Sequence, residues 1–111
     1  MDKVYNKLVR DKIPEIIEGN GEYPVVRYLD DTEYKKALEE KLLEEYKEFI
    51  SSSNEDRLEE LADMIEVIRA LAAVENSTLD CVISIANVKE KKRGAFKKKV
   101  FLEKVTDKKN N

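Results

Sequence analysis

Histidine is absent from this 111-residue chain. That gap removes imidazole acid–base chemistry, His-ligated zinc and the Glu-x-x-His di-iron sites of helical bundles. A lone cysteine, Cys81, excludes an intramolecular disulfide. With no histidine to activate it, Cys81 reads as a small buried residue and not as a nucleophile. Three glycines and two prolines are too few for a turn-rich β fold. No run of about 18 apolar residues is available to cross a bilayer, and no apolar leader opens the chain. A soluble cytoplasmic protein without a membrane partner is expected.

Charged and hydrophobic residues each make up 41% of the chain, a balance that suits long amphipathic helices. The expected fold is all-α, a bundle with long antiparallel helices in a single domain over 1–111. A chain this short gains from burying more apolar surface in a homo-oligomer, a dimer or a tetramer. The formal net charge of -3 conceals an internal division. Residues 30–63 hold 13 acids and 5 bases, whereas 89–99 hold 7 bases and 1 acid. Such a distribution fits a partner that is amphoteric or bridged by metal.

Along the chain, Pro14 and the Gly19-Asn20-Gly21 run bracket a short helix over 13–18. Residues 23–29, with Val25, Val26 and Tyr28 beside Pro24, read as a short extended edge strand. The loosely alternating 99–105 segment could pair with it. Capping residues from Asp30 to Glu33 precede a helix to about Ile50, with Tyr34, Leu38, Leu42, Tyr46 and Phe49 on one face. Ser52 and Glu55 have the form of a capping box before a helix over 55–74. Its apolar residues cover more than half the circumference, which predicts a central helix buried on two sides. Asn76 and Ser77 are expected to cap a last helix over 78–92 with Leu79, Val82, Ile83 and Ala86 inward, stopped by Gly94. Residues 107–111 read as frayed.

Four acids stand out by position. Glu45 and Glu48 are three apart on one helix, and Glu60 and Asp63 three apart on the next. That spacing separates side chains by about 60° and ~4.5 Å of rise, so each pair can reach one ion. Glu45 projects onto the apolar side between Tyr34 and Leu38, and Glu60 projects near Leu71 and Met64. Two such helices folded back on each other would gather four repelling charges, an arrangement that Mg²⁺ or Mn²⁺ would offset. The competing reading is ordinary surface chemistry. A chain with 24 acids produces E-x-x-E by chance and pairs it with Lys41, Lys47 or Arg57.

Lys89 and Arg93 continue the stripe of Leu79, Val82 and Ala86 at i,i+4, where cations could hold the outer phosphates of a substrate. Bases at a helix C-terminus also complement its dipole. A nucleic-acid surface over 89–99 is the weaker reading, because only Phe96 and Phe101 interleave and the chain is acidic overall. Arg10 and Lys12 belong to a charged N-terminal arm.

These residues carry a likeness. The chain resembles the MazG-like all-α nucleoside triphosphate pyrophosphatases, related to phosphoribosyl-ATP pyrophosphohydrolase. The family pattern E-E-x-x-E then E-x-x-D stands here as Glu44-Glu45-Tyr46-Lys47-Glu48 and Glu60-Leu61-Ala62-Asp63. A subgroup is similar at Lys7-Leu8-Val9-Arg10-Asp11-Lys12-Ile13-Pro14 and at Lys92-Arg93-Gly94-Ala95-Phe96, where a second glycine often replaces Ala95. The resemblance implies metal ligation by Glu45, Glu48, Glu60 and Asp63, with Glu44 an outer acid. It further implies Mg²⁺-dependent cleavage of a nucleoside triphosphate, standard or modified, to monophosphate and pyrophosphate. Lys89, Lys92, Arg93, Arg10 and Lys12 are then candidates for phosphate binding. The alternative is a non-catalytic helical interaction module, or a nucleic-acid binder using 89–99.

Overall fold

Pro14, two residues into helix α1 (Ile13–Gly19), needs no N–H partner there, which suits it to a first turn. This computed structural model describes residues 2–107, so the expected fraying of 108–111 lies outside the described residues. The chain divides into two compact units, Met1–Leu79 and Asp80–Asn111. Gly21 ends α1 at φ +84°, donating its N–H to the Glu18 carbonyl at 3.0 Å. The Glu22 N–H reaches the Ile17 carbonyl at 3.2 Å, which completes a Schellman closure.

Helix α2 (Asp31–Ser51) opens on a reciprocal cap. The Asp30 carboxylate accepts from the Glu33 N–H at 2.8 Å, and Glu33 accepts from the Asp30 N–H at 3.4 Å. The capping box expected at Ser52 and Glu55 does not form. Ser52 instead closes α2, its hydroxyl donating to the Phe49 carbonyl at 2.9 Å. Asp56 precedes helix α3 (Arg57–Val74) in a helical backbone conformation and makes no side-chain cap bond. Caps of that kind work from extended backbone, which Asp30 has and Asp56 lacks.

A short turn over 52–56 folds α3 back onto α2. Arg57 pins it, donating to the Phe49 carbonyl at 3.2 Å with its guanidinium 3.9 Å from the Phe49 ring. Leu38, Val67 and Ala72 are the buried apolar residues of this hairpin. Tyr34, Leu42, Phe49 and Met64 are half-buried around them. Burial of α3 on two sides does not occur in this chain. Leu58, Leu61 and Ile65 stay exposed because α2 is the one helix of the unit that packs against it. Asn76, at φ +58°, closes α3 and does not open the next helix. The Ser77 N–H reaches back to Ala72 at 2.9 Å and the Asn76 N–H to Ala73 at 3.0 Å.

The second unit holds α4 (Leu79–Arg93), ended by Gly94 at φ +84°. The inward stripe expected on α4 is not buried. Leu79 is half-buried, while Val82, Ile83 and Ala86 are exposed, and so is Cys81. Among the described residues of its own unit, only 94–107 accompanies α4, and that segment has no helix or strand to lay against it. Among the described residues no strand forms at 23–29 or 99–105. Pro24 removes one ladder donor, and a lone two-stranded ribbon has little stability of its own. Among the described residues no helix is long and apolar enough to cross a membrane. The architecture is all-α.

Candidate metal centre

Glu45 lies seven residues before Ser52, and Asp63 seven after Asp56. Helices leaving one short turn in opposite directions therefore carry both to the same level, about 10 Å along each axis. Glu60 is one turn below Asp63 on the same face. One carboxylate oxygen from each of Glu45, Glu60 and Asp63 falls within 4.8 Å of the others. Three of the four acids share that spacing, and the Glu48 carboxyl lies beside them, in hydrogen-bonding reach of Glu45 and Glu60. Glu48 is exposed and lines a shallow depression of about 370 Å³ on α2 with Glu40, Leu43, Glu44, Lys47 and Ser51.

Burial sets this cluster apart from the many surface acids of the chain. Glu45 is 7% exposed, and its Oε2 has no hydrogen-bond partner. Glu60 Oε2 is likewise enclosed and without a partner. An orphaned buried carboxylate oxygen is costly, since water that would solvate it has been removed and nothing replaces it. Burial pushes the Glu45 carboxyl above its ordinary value, and the neighbouring Glu48 carboxyl pushes the same way. Glu60 is raised too, first by desolvation and then by the charges of Asp63 and Glu45. A cluster in which Glu45 and Glu60 both resist ionisation makes a place for positive charge.

Some of that charge comes from within. Lys41 Nζ lies 2.9 Å from Glu44 and 3.4 Å from Glu45 Oε1. Burial acts to lower Lys41, but its hydrogen bond and ion pair with Glu44, reinforced by Glu45, hold it above its ordinary value. Glu44 is lowered, chiefly by its hydrogen bond to Lys41. Lys7 joins the same carboxylate from the N-terminal arm at 3.4 Å. Arg10 donates to Asp63 Oδ1 at 2.7 Å. Glu60 makes no ion pair among the described residues, and its hydrogen bond with Glu48 only partly opposes its upward shift.

Sequence reasoning assigned Lys41 only a generic surface pairing, although its i,i+4 relation to Glu45 was there to be read. Lys7 offered no local signal. Both contacts made by the arm span long stretches of chain, which no periodicity reveals. Lys12 stands at the N-cap of α1 and makes no ion pair among the described residues. Lys89, Lys92 and Arg93 are exposed on α4 in the second unit.

The donor set is all oxygen and strongly anionic, which suits a hard divalent cation and not a soft one. Oxygens bound to one Mg²⁺ at about 2.1 Å stand roughly 3 to 4 Å apart. From within 4.8 Å of one another, the three acids would reach that spacing by side-chain movement of about 1 to 2 Å, and the orphaned oxygens of Glu45 and Glu60 would gain the partner they lack.

No family model matches the chain, and no solved structure does. A protein of Mycolicibacterium smegmatis (strain ATCC 700084 / mc(2)155), named only as uncharacterized, is 48% identical over 50 residues. That stretch is 45% of this chain and 51% of the relative, so the match covers about half the length of each.

Proposed function

We propose that this chain is a MazG-like nucleoside triphosphate pyrophosphohydrolase, dependent on Mg²⁺ or Mn²⁺ and working in the cytoplasm as a homo-oligomer. One observation carries the reading: three carboxylates from two helices converge, and two of their oxygens are enclosed without partners. The order and spacing of the E-E-x-x-E, E-x-x-D and Lys-Arg-Gly elements support it.

In this reading Glu45, Glu60 and Asp63 hold the ion, with exposed Glu48 at the margin. When bound, a divalent cation would offset phosphate charge and make water more acidic. Glu48, the acid with most access to solvent, orients the attacking water and accepts its proton. The water oxygen bonds to the α phosphorus as the bond to the α–β bridging oxygen breaks, and pyrophosphate leaves with that electron pair. Arg10 and Lys12, in the same unit as the acids, are assigned to phosphate contacts on their charge. Lys41 holds Glu45 Oε1, which leaves Oε2 for the ion.

The test is a pyrophosphate-release screen over standard and modified nucleoside triphosphates, with and without Mg²⁺. Glu60→Gln and Asp63→Asn should each abolish Mg²⁺-dependent turnover while helical circular dichroism is retained. Turnover that survives either change sinks the assignment.

A second reading has its own support. Phe96 is 98% exposed and Phe101 87% exposed, both beside the lysines of 97–99, as in a stacking surface for nucleic acid. Salt-sensitive RNA or DNA binding that persists in EDTA would favour it.

A further inference from the structure

We propose that Arg10 is a built-in counter-cation that competes with a divalent metal ion for Asp63. The proposal rests on the reading of Glu45, Glu60 and Asp63 as a metal centre, itself supported by the buried, unpartnered Oε2 of Glu45.

The geometry is specific. Arg10 lies 53 positions before Asp63, yet its guanidinium donates to Asp63 Oδ1 at 2.7 Å, the length of a charge-assisted bond. Three residues earlier, Lys7 reaches Glu44 on the other helix. The arm thus places one cation on α3 and another on α2, with half-buried Leu8 between them. Asn6, at φ +46°, turns the chain just ahead of this pair of contacts. Asp63 is the member of the cluster that the arm neutralises, while Glu60, one turn away, makes no ion pair among the described residues.

Arg10 engages one oxygen of Asp63, and its positive charge there opposes a divalent cation at the same carboxylate. Both side chains are partly exposed, so the contact is weak enough to exchange. Its strength sets a threshold: the ion binds once it outcompetes the guanidinium. Arg10 is then released beside the site with its donors unspent, where an incoming phosphate can take them.

The experiment measures Mn²⁺ binding by calorimetry to the full chain, to Arg10→Gln and to Lys12→Gln. Arg10→Gln should bind Mn²⁺ about two- to fivefold more tightly than wild type, the range an exposed ion pair allows. Lys12→Gln removes the same charge two residues away and should change affinity less. Equal or weaker binding by Arg10→Gln overturns the proposal, as does equal tightening by Lys12→Gln, which would reduce the effect to long-range charge. A second measurement needs no variant. The Arg10 Nε–H resonance of wild type should shift on Mg²⁺ addition and saturate with the metal, and an unmoved resonance overturns the proposal. Failure of Mn²⁺ to bind either wild type or Arg10→Gln would refute the metal centre itself, a different result from binding that ignores Arg10.

Discussion

At the scale of single residues, the decisive feature is an acid where a hydrocarbon would be expected. Glu45 is buried with an orphaned oxygen, and its carboxyl is raised by burial and by Glu48. Glu60 is raised by its own desolvation and by Asp63 and Glu45. Folding therefore favours the protonated form of both. Stability should fall as pH rises above the ordinary carboxylate value of 4.5 and recover as pH is lowered toward it. Glu44 runs the other way: its depressed value stabilises the fold above 4.5, and that contribution is lost as pH falls through its folded value. The metal-free protein should thus melt higher at about pH 5 than at pH 7, then lose stability in stronger acid. With no histidine, few other side chains titrate in that interval. Glu45→Gln should raise the metal-free melting temperature at pH 7 and flatten this dependence. Thermal scans of both proteins across pH check it, and a wild-type curve that declines from pH 7 to 5 contradicts the repelling cluster.

At the scale of elements, α2 is the helix whose ends and core face are best determined. Asp30→Ala removes a reciprocal cap and should cost about 1 kcal/mol, read as a lower urea midpoint at unchanged slope. Leu38→Ala opens the centre of the hairpin, where the side chain is 3% exposed, and should cost roughly 2 to 5 kcal/mol. The larger loss at Leu38 would show that α2 is held more by packing on α3 than by its own termini. Helix limits were legible in the sequence because stop signals act locally: Gly21 and Gly94 adopt the positive φ that closes a helix without strain. The Ser52–Glu55 pattern misled because a capping motif does not state which helix it serves. Ser52 found the free carbonyl of Phe49 behind it instead of an N–H ahead.

At the scale of the molecule, little of the apolar surface is enclosed within one chain. Leu43, Tyr46, Ile50, Leu58 and Ile65 are each about half exposed or more on the hairpin, and Val82, Ile83, Ile85 and Val88 line an uncovered α4. Monomers rarely leave so many large apolar groups in water. The protein should sediment as a concentration-dependent dimer or tetramer, and Ile65→Glu should shift it toward monomer. A wild-type monomer at all concentrations would rule the assembly out. Metal should act on the same stability scale. At about 100 times its dissociation constant, Mg²⁺ should add roughly 2.7 kcal/mol and raise the melting temperature. No shift at saturating Mg²⁺ would count against the centre.

Helix content, helix limits and the pairing of Glu45 with Glu60 and Asp63 followed from the sequence alone, because each depends on 3.6-residue periodicity and on terminal residues acting within a few positions. The hairpin then converted equal distances from one turn into convergence. Tertiary structure alone decided which oxygens lost their water and that Arg10 reaches Asp63 from the far end of the chain. Burial and long-range pairing depend on what packs against a side chain in space, and no local spacing records that.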